Sequence, residues 1–137
     1  MKLALACAVA LLTQAGAPWI EGEPDRVELA FDASGRIESE RAYRDGHKVG
    51  RHRSFWPDGT LRVQADYERD AFHGAYRTFY SSGRPYELRH YDHGRESGLQ
   101  QSWTETGELF LNYEVRDGRR YGLVNARPCE PVGTRQP

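Results

Sequence analysis

The sequence predicts an all-β fold: an antiparallel β-hairpin repeat of 24-residue units that forms a single elongated, twisted meander. Two observations predict it. Glycines recur at intervals of 24 residues, and the runs between them are short, rich in aromatic residues and partly alternating in polarity. Since such runs are too short for typical helices, each unit with two turns is a β-hairpin. At 137 residues the chain has room for one small domain.

Residues 1–17 predict a secretory signal peptide. Lys2 is followed by an apolar run, residues 3–12, and then by the small residues Ala15-Gly16-Ala17. The apolar run is too short to span a bilayer. We expect cleavage after Ala17, with Ala15 as the alternative, and export to the periplasm or envelope. The sequence around Cys7 resembles a weak lipobox, which leaves a lipid anchor as an alternative.

Beyond the signal peptide the sequence divides into three parts. A linker, 18–26, leads into a β-repeat domain at 27–126, for which we expect about nine strands ending near 123–126, and an irregular tail follows at 127–137. Cys129 alone remains after the predicted cleavage, so the mature chain forms no intramolecular disulfide. Its thiol is packed, paired with another chain, or reactive.

The glycines occur at two kinds of turn. One is a short polar connection such as Pro57-Asp58-Gly59, and the other is a longer one with two glycines, such as the segment from Arg44 to Gly50. Eleven of the 14 glycines fall in three columns of this 24-residue register, which establishes an internal repeat. Glycine supplies the positive φ that tight hairpin turns require. The predicted structural turn glycines are Gly50, Gly59, Gly74, Gly83, Gly98, Gly107 and Gly122.

Aromatic residues follow the same register. Tyr43, Tyr67 and Tyr91 form one column, and a second consists of Phe55, Phe79 and Trp103. Because residues at equivalent positions of neighbouring strands lie side by side, we expect the tyrosines to pack as a ladder rather than to line a ligand site.

The repeated pattern Tyr-x-Asp-Gly-x-x-x-Gly, followed by an aromatic pair and a further glycine, resembles the variant MORN (membrane occupation and recognition nexus) repeat of bacterial proteins, including the YwqK-type antitoxin-like family. The match runs through Tyr43-Arg44-Asp45-Gly46 and its later copies, and the resemblance covers residues 29–124. The resemblance implies an all-β scaffold that engages protein or lipid, usually without catalysis. Asp70-Ala71 departs from it by replacing the glycine turn of the second unit. An export signal also fits poorly with an antitoxin, which acts where its toxin is made.

The charge balance argues against a dedicated nucleic-acid binder. The formal net charge is −1, and it becomes −2 once the signal peptide with Lys2 is removed. A protein that neutralises phosphates normally carries a basic excess. The basic residues are 17 Arg and 2 Lys, and arginine favours bidentate contacts with flat acceptors.

No catalytic or metal site is predicted. The sequence lacks a nucleophile elbow, a phosphate-binding glycine loop and an HExxH motif, and no pair of carboxylates stands out. His90 and His93 are the closest histidine pair, but strand residues three apart point to opposite faces. We therefore expect no enzyme activity, no cofactor and no metal.

Arginines beside aromatic residues have the composition that protein interfaces favour. The sequence therefore predicts a non-catalytic, exported repeat scaffold that binds a protein partner in the cell envelope. One alternative is a module that recognises anionic lipid at a membrane surface; another is an antitoxin-type neutraliser, if the N-terminus is not cleaved. The sequence does not specify an oligomeric state. The predicted binding surface consists of Phe55, Trp56, Arg77, Phe79, Tyr80 and Trp103.

Overall fold

The computed structural model describes residues 23–122, which form one open antiparallel sheet. Within these residues every regular element is a strand, which confirms the predicted all-β class and the meander of hairpins. The predicted signal peptide at 1–17, the tail at 127–137, Cys7 and Cys129 lie outside the described residues. So does the expected last strand near 123–126.

Eleven strands make up the sheet. The first begins at Arg26, one residue before the predicted start of the domain. In chain order the strands are β1 (Arg26–Phe31), β2 (Ile37–Arg44), β3 (His47–Lys48), β4 (Gly50–Phe55), β5 (Leu61–Glu68), β6 (Ala71–Phe79), β7 (Pro85–Asp92), β8 (Arg95–Glu96), β9 (Gly98–Trp103), β10 (Leu109–Arg116) and β11 (Arg119–Tyr121).

Nine of these strands form a continuous path in the order β1-β2-β4-β5-β6-β7-β9-β10-β11. The two-residue strands β3 and β8 lie off this path and pair with β2 and β7. Every strand on the path pairs with the one before it in the chain, apart from these short interruptions. Such an order is that of a hairpin meander, in which each added hairpin lengthens the sheet.

The second unit makes the same kind of turn as the other units but without glycine. Arg69 and Asp70 connect β5 to β6 with φ angles of 44° and 69°, and positive φ at both central residues is the mark of a type I′ hairpin turn. The carboxylate of Asp70 accepts a hydrogen bond from the Lys48 backbone N–H at 2.8 Å and lies 2.6 Å from His47 Nδ1. Because of the Lys48 bond and then the His47 bond, the pKa of Asp70 is lowered. This carboxylate joins the second unit to the first.

The sheet has two faces of different character. One face, here called the tyrosine face, carries Tyr43, Tyr67 and Tyr91. Most of the buried side chains also lie on this face, including Ala65 and Tyr113. The opposite face, here called the polar face, carries a row of directly paired residues that crosses seven strands. That row consists of Glu40, Arg53, Gln64, Arg77, Leu88, Gln101 and Asn112.

Candidate functional site

Aromatic rings on the tyrosine face form a continuous stack from β2 to β7. The ring of His52 lies 5.8 Å from Tyr43 and 4.5 Å from Tyr67, and Phe72 lies 4.8 Å from Tyr67 and 5.2 Å from Tyr91. Burial in this stack raises the pKa of the Tyr67 and Tyr91 phenols. The rings fill the space between neighbouring hairpins, so this column stabilises the sheet.

His52 belongs to the same packing. Its Nε2 lies 2.8 Å from the Ala42 carbonyl oxygen and 3.2 Å from the Ala42 nitrogen. Burial lowers the pKa of His52 and so favours the neutral form of the ring. Gln100 takes the corresponding position 48 residues later and donates from Nε2 to the His90 carbonyl oxygen at 2.8 Å. Both side chains bind the backbone of the preceding strand.

A polar network continues the tyrosine face towards the C-terminal end of the sheet. Arg89 pairs with Glu87 at 3.0 Å and with Glu96 at 3.1 Å. The Tyr113 hydroxyl donates to Glu96 at 3.0 Å, and Arg120 pairs with the other oxygen of Glu96 at 2.9 Å. Since both carboxylates are neutralised by arginine, this network holds strands together and leaves no free general acid or base.

The polar face is centred on Arg77. It lies in β6, the fifth of the nine strands on the path, and its direct neighbours in the row are Gln64 and Leu88. Towards the first strand, Arg53 is paired with Glu40 at 2.6 Å. Arg77 is half-buried, and among residues 23–122 it has neither an ion pair nor a hydrogen bond from its side chain. Its guanidinium is therefore available.

Three aromatic residues of the predicted surface flank this row. Phe55, Phe79 and Trp103 are the last residues of β4, β6 and β9. Phe79 follows Arg77 by two residues, and strand residues two apart share a face. The same spacing places Phe55 beside Arg53 in β4. Alternation along each strand thus places four of the six predicted residues on the polar face, and each of them is half-buried. The pairing with the next strand is irregular at Phe55, Phe79 and Trp103.

Trp56 and Tyr80 have a different role. Trp56 Nε1 donates to the Phe79 carbonyl oxygen at 3.2 Å, and the Tyr80 hydroxyl donates to the Trp103 carbonyl oxygen at 2.9 Å. Each side chain therefore binds the backbone of the following unit, 23 residues further along the chain. Because the polar atoms of Trp56 and Tyr80 connect hairpins, we remove these two residues from the candidate surface. The remaining members are Phe55, Arg77, Phe79 and Trp103.

His90 and His93, the closest histidine pair in the sequence, do not share a site. His90 Nδ1 donates to the Leu99 carbonyl oxygen at 2.9 Å. His93 instead joins Glu68 and His73, and one ligand atom from each of these three lies within 4.8 Å of the others. The sequence does not predict this cluster, because its members lie on three separate segments. The one available signal is that Glu68 and His93 occupy neighbouring positions of adjacent 24-residue units.

No helix among the described residues is long and apolar enough to cross a membrane. Comparisons of the chain with protein-family models, with curated proteins and with solved structures gave no match.

Proposed function

We propose that this chain is a non-catalytic, exported repeat scaffold that binds a protein partner in the cell envelope through the polar face. The observation that carries the proposal is Arg77. It is a half-buried arginine at the middle of the sheet with no acidic partner among the described residues. A guanidinium without a partner in its own chain can form a bidentate pair with a carboxylate supplied by another molecule.

The surroundings of Arg77 support a protein partner. Phe55, Phe79 and Trp103 supply apolar area along the same face, and arginine and aromatic residues are the usual anchors of protein interfaces. Gln64 offers an amide group that donates and accepts hydrogen bonds, and Gln101, whose Nε2 donates to Asn112 Oδ1 at 3.2 Å, adds a carbonyl oxygen. A partner that fits this face presents an acidic side chain with apolar residues beside it.

The carboxylates of the sheet support a scaffold without catalysis. The carboxylates at 87 and 96 are bound to arginine, as is that of Asp66, which lies 3.0 Å from Arg51. None of these acids is left to exchange protons with a substrate. The envelope location rests on the predicted signal peptide, and the resemblance of the repeat to the variant MORN pattern agrees with a binding role.

The test is recovery of partners from the native host. The full chain, with its own N-terminus and an affinity tag at the C-terminus, is crosslinked in intact cells and purified. We expect Arg77→Glu to reduce the yield of each specific partner at least about tenfold, because it places a negative charge where a carboxylate binds. Trp103→Ala added to Arg77→Glu should abolish recovery.

A matched control is Arg41→Glu. Arg41 is exposed and lies on the tyrosine face, two residues from Ser39, so its reversal changes net charge equally and leaves the polar face intact. Circular dichroism confirms that each variant keeps its sheet. The proposal fails if the double variant recovers the same proteins as the wild type, or if Arg41→Glu loses them equally.

A further inference from the structure

We propose that Glu68, His73 and His93 form a binding site for a divalent transition metal, with Zn²⁺ as the best fit. Glu68 ends β5, His73 lies in β6, and His93 opens the turn after β7. Glu68 Oε2 lies 3.6 Å from His73 Nε2 and 3.5 Å from His93 Nε2. Three segments therefore direct one ligand atom each at a common point.

Two of the three separations between ligand atoms match zinc coordination, and the third, between the two histidines, lies within 4.8 Å. Zinc bonds to nitrogen and oxygen of about 2.0–2.2 Å, arranged as a tetrahedron, place neighbouring ligand atoms roughly 3.3–3.6 Å apart. Both distances from Glu68 Oε2 fall within that interval. A metal ion can enter with only small side-chain movements, and a water completes the fourth position, as in zinc sites with three protein ligands.

Asp92 orients the ring of His93 and lies near that of His73. Its Oδ1 lies 2.6 Å from His93 Nδ1 and 3.4 Å from His73 Nδ1. A carboxylate that accepts the proton of one ring nitrogen leaves the lone pair of the other nitrogen for a metal, and this arrangement is usual behind metal-binding histidines. The His93 ring therefore presents Nδ1 to Asp92 and Nε2 to Glu68. His73 Nδ1 accepts a hydrogen bond from the His93 backbone N–H at 3.4 Å, so zinc binding at its Nε2 requires the ring proton to move to Nδ1, where Asp92 lies 3.4 Å away to accept it.

The charge of the cluster also suits a divalent cation. Glu68 and Asp92 are acidic, and two neutral imidazoles add no charge, so the two carboxylates balance the two positive charges of Zn²⁺. Two imidazole nitrogens and one carboxylate oxygen form a donor set that favours zinc and its neighbours over the harder Mg²⁺ and Ca²⁺. Exposure of the His93 ring leaves the site open to solvent ions.

The cluster occurs at one junction of the repeat. In the preceding unit the equivalent positions hold Arg44, Val49 and Arg69, and in the following unit they hold Asp92, Ser97 and Asp117. Neither set contains a histidine. The ligands are therefore departures from the repeat that converge in space.

An irregularity in the pairing of β6 sets the position of the ligand His73. Ala65 pairs with Tyr76 and Tyr67 pairs with Phe72, so three residues of β6 including His73 lie opposite the single residue Asp66. A bulge of this kind changes the direction of the side chain at the irregularity.

The test measures zinc binding to the full chain, purified without a metal-affinity step and stripped with a chelator. Titration with Zn²⁺ alone, followed by calorimetry and by competition with a chromogenic chelator, is expected to show one ion per chain. The double variant His73→Asn, His93→Asn should lose binding, and Glu68→Gln should weaken it at least about tenfold. Asp92→Asn, which leaves all three ligands in place, should weaken it by about 10–100-fold.

His47→Asn is the matched control. His47 is an exposed histidine beside Asp70 at 2.6 Å and lies outside the cluster, so its loss should leave zinc affinity unchanged. Co²⁺ provides a second readout, because tetrahedral coordination gives strong visible absorption that the wild type should show and the double variant should lack. The proposal is overturned if the wild type binds no Zn²⁺, or if the double variant binds it as tightly as the wild type.

Discussion

At the scale of single residues, His52 shows how packing sets protonation in this sheet. The ring lies between Tyr43 and Tyr67, and its Nε2 faces the Ala42 backbone. Burial lowers the pKa of this imidazole from its ordinary value of 6.5. The folded chain therefore holds fewer protons at this position than the unfolded chain does at mildly acidic pH.

That difference predicts a pH-dependent stability. As pH falls through about 6.5, the unfolded chain takes up the proton first, so the free energy of unfolding decreases until the folded pKa is passed. Above that range the contribution is complete. We expect denaturant unfolding between about pH 8 and pH 5 to show this loss in the wild type.

His52→Gln is the informative variant for this prediction. Gln100 already makes the corresponding bond in the third unit, so glutamine at position 52 can keep the backbone contact and remove the titration. The loss of unfolding free energy at acidic pH should be smaller in the variant. An identical pH dependence in both proteins would show that His52 does not contribute to it.

At the scale of elements, each hairpin is joined to the next by more than its strand pairing. The Tyr80 hydroxyl reaches the Trp103 carbonyl oxygen, and Trp56 makes the equivalent bond one unit earlier. In the third unit the corresponding residue is Thr104, which bonds within its own turn to Thr106 at 2.7 Å. This series of bonds from a side chain to the carbonyl oxygen of the next unit therefore ends at Tyr80.

Removing one such bond should weaken the junction that it spans. Tyr80→Phe keeps the ring and deletes the hydroxyl, leaving the Trp103 carbonyl without this donor, so we expect Tm to fall by a few degrees. Tyr86→Phe is the control, since its ring packs 5.1 Å from Tyr80 and its hydroxyl has no hydrogen bond among residues 23–122. Equal melting temperatures for the two variants would contradict a stabilising role for the Tyr80 bond.

The elements were predictable from the sequence because their signals are local. A glycine at φ +87°, such as Gly59, or the pair Asp45-Gly46 at +51° and +81°, specifies a turn through its own backbone preference. The cluster of Glu68, His73 and His93 was not predictable in this way. It depends on the pairing of β5 with β6 around a bulge, and no column of equivalent residues records that irregularity.

The proposed binding surface was predictable from the sequence only in part. The recurrence of Phe55, Phe79 and Trp103 predicts their common face, because strand alternation carries the spacing into space. Trp56 and Tyr80 lie directly after the strand ends, where alternation no longer applies, and their bonds to the next unit follow from the turn geometry. Arg77 lacks an acidic neighbour because the residues paired with it are Gln64 in β5 and Leu88 in β7. The sequence alone does not give these pairings.

At the scale of the whole molecule, the described sheet is held together by contacts between neighbouring hairpins. Each strand touches the strands beside it on the path, and the buried hydrophobic residues are few, among them Ala65 and Val115. In such an array stability is close to a sum over units and their interfaces, and the ends open more easily than the middle. The polar face around Arg77 is therefore placed on the most constrained part of the sheet.

Hydrogen exchange tests this arrangement. β6 is paired on both sides, whereas β1 and β11 are each paired on one side, and every residue of these two end strands is exposed. We expect the hydrogen-bonded amides of β6 to exchange at least about tenfold more slowly than those of β1 and β11, because an end strand opens by losing one interface while β6 requires the loss of two. Uniform protection would instead mean all-or-none opening of residues 23–122. Stronger protection in β1 than in β6 would contradict the expectation and indicate that another chain covers the end strand in solution.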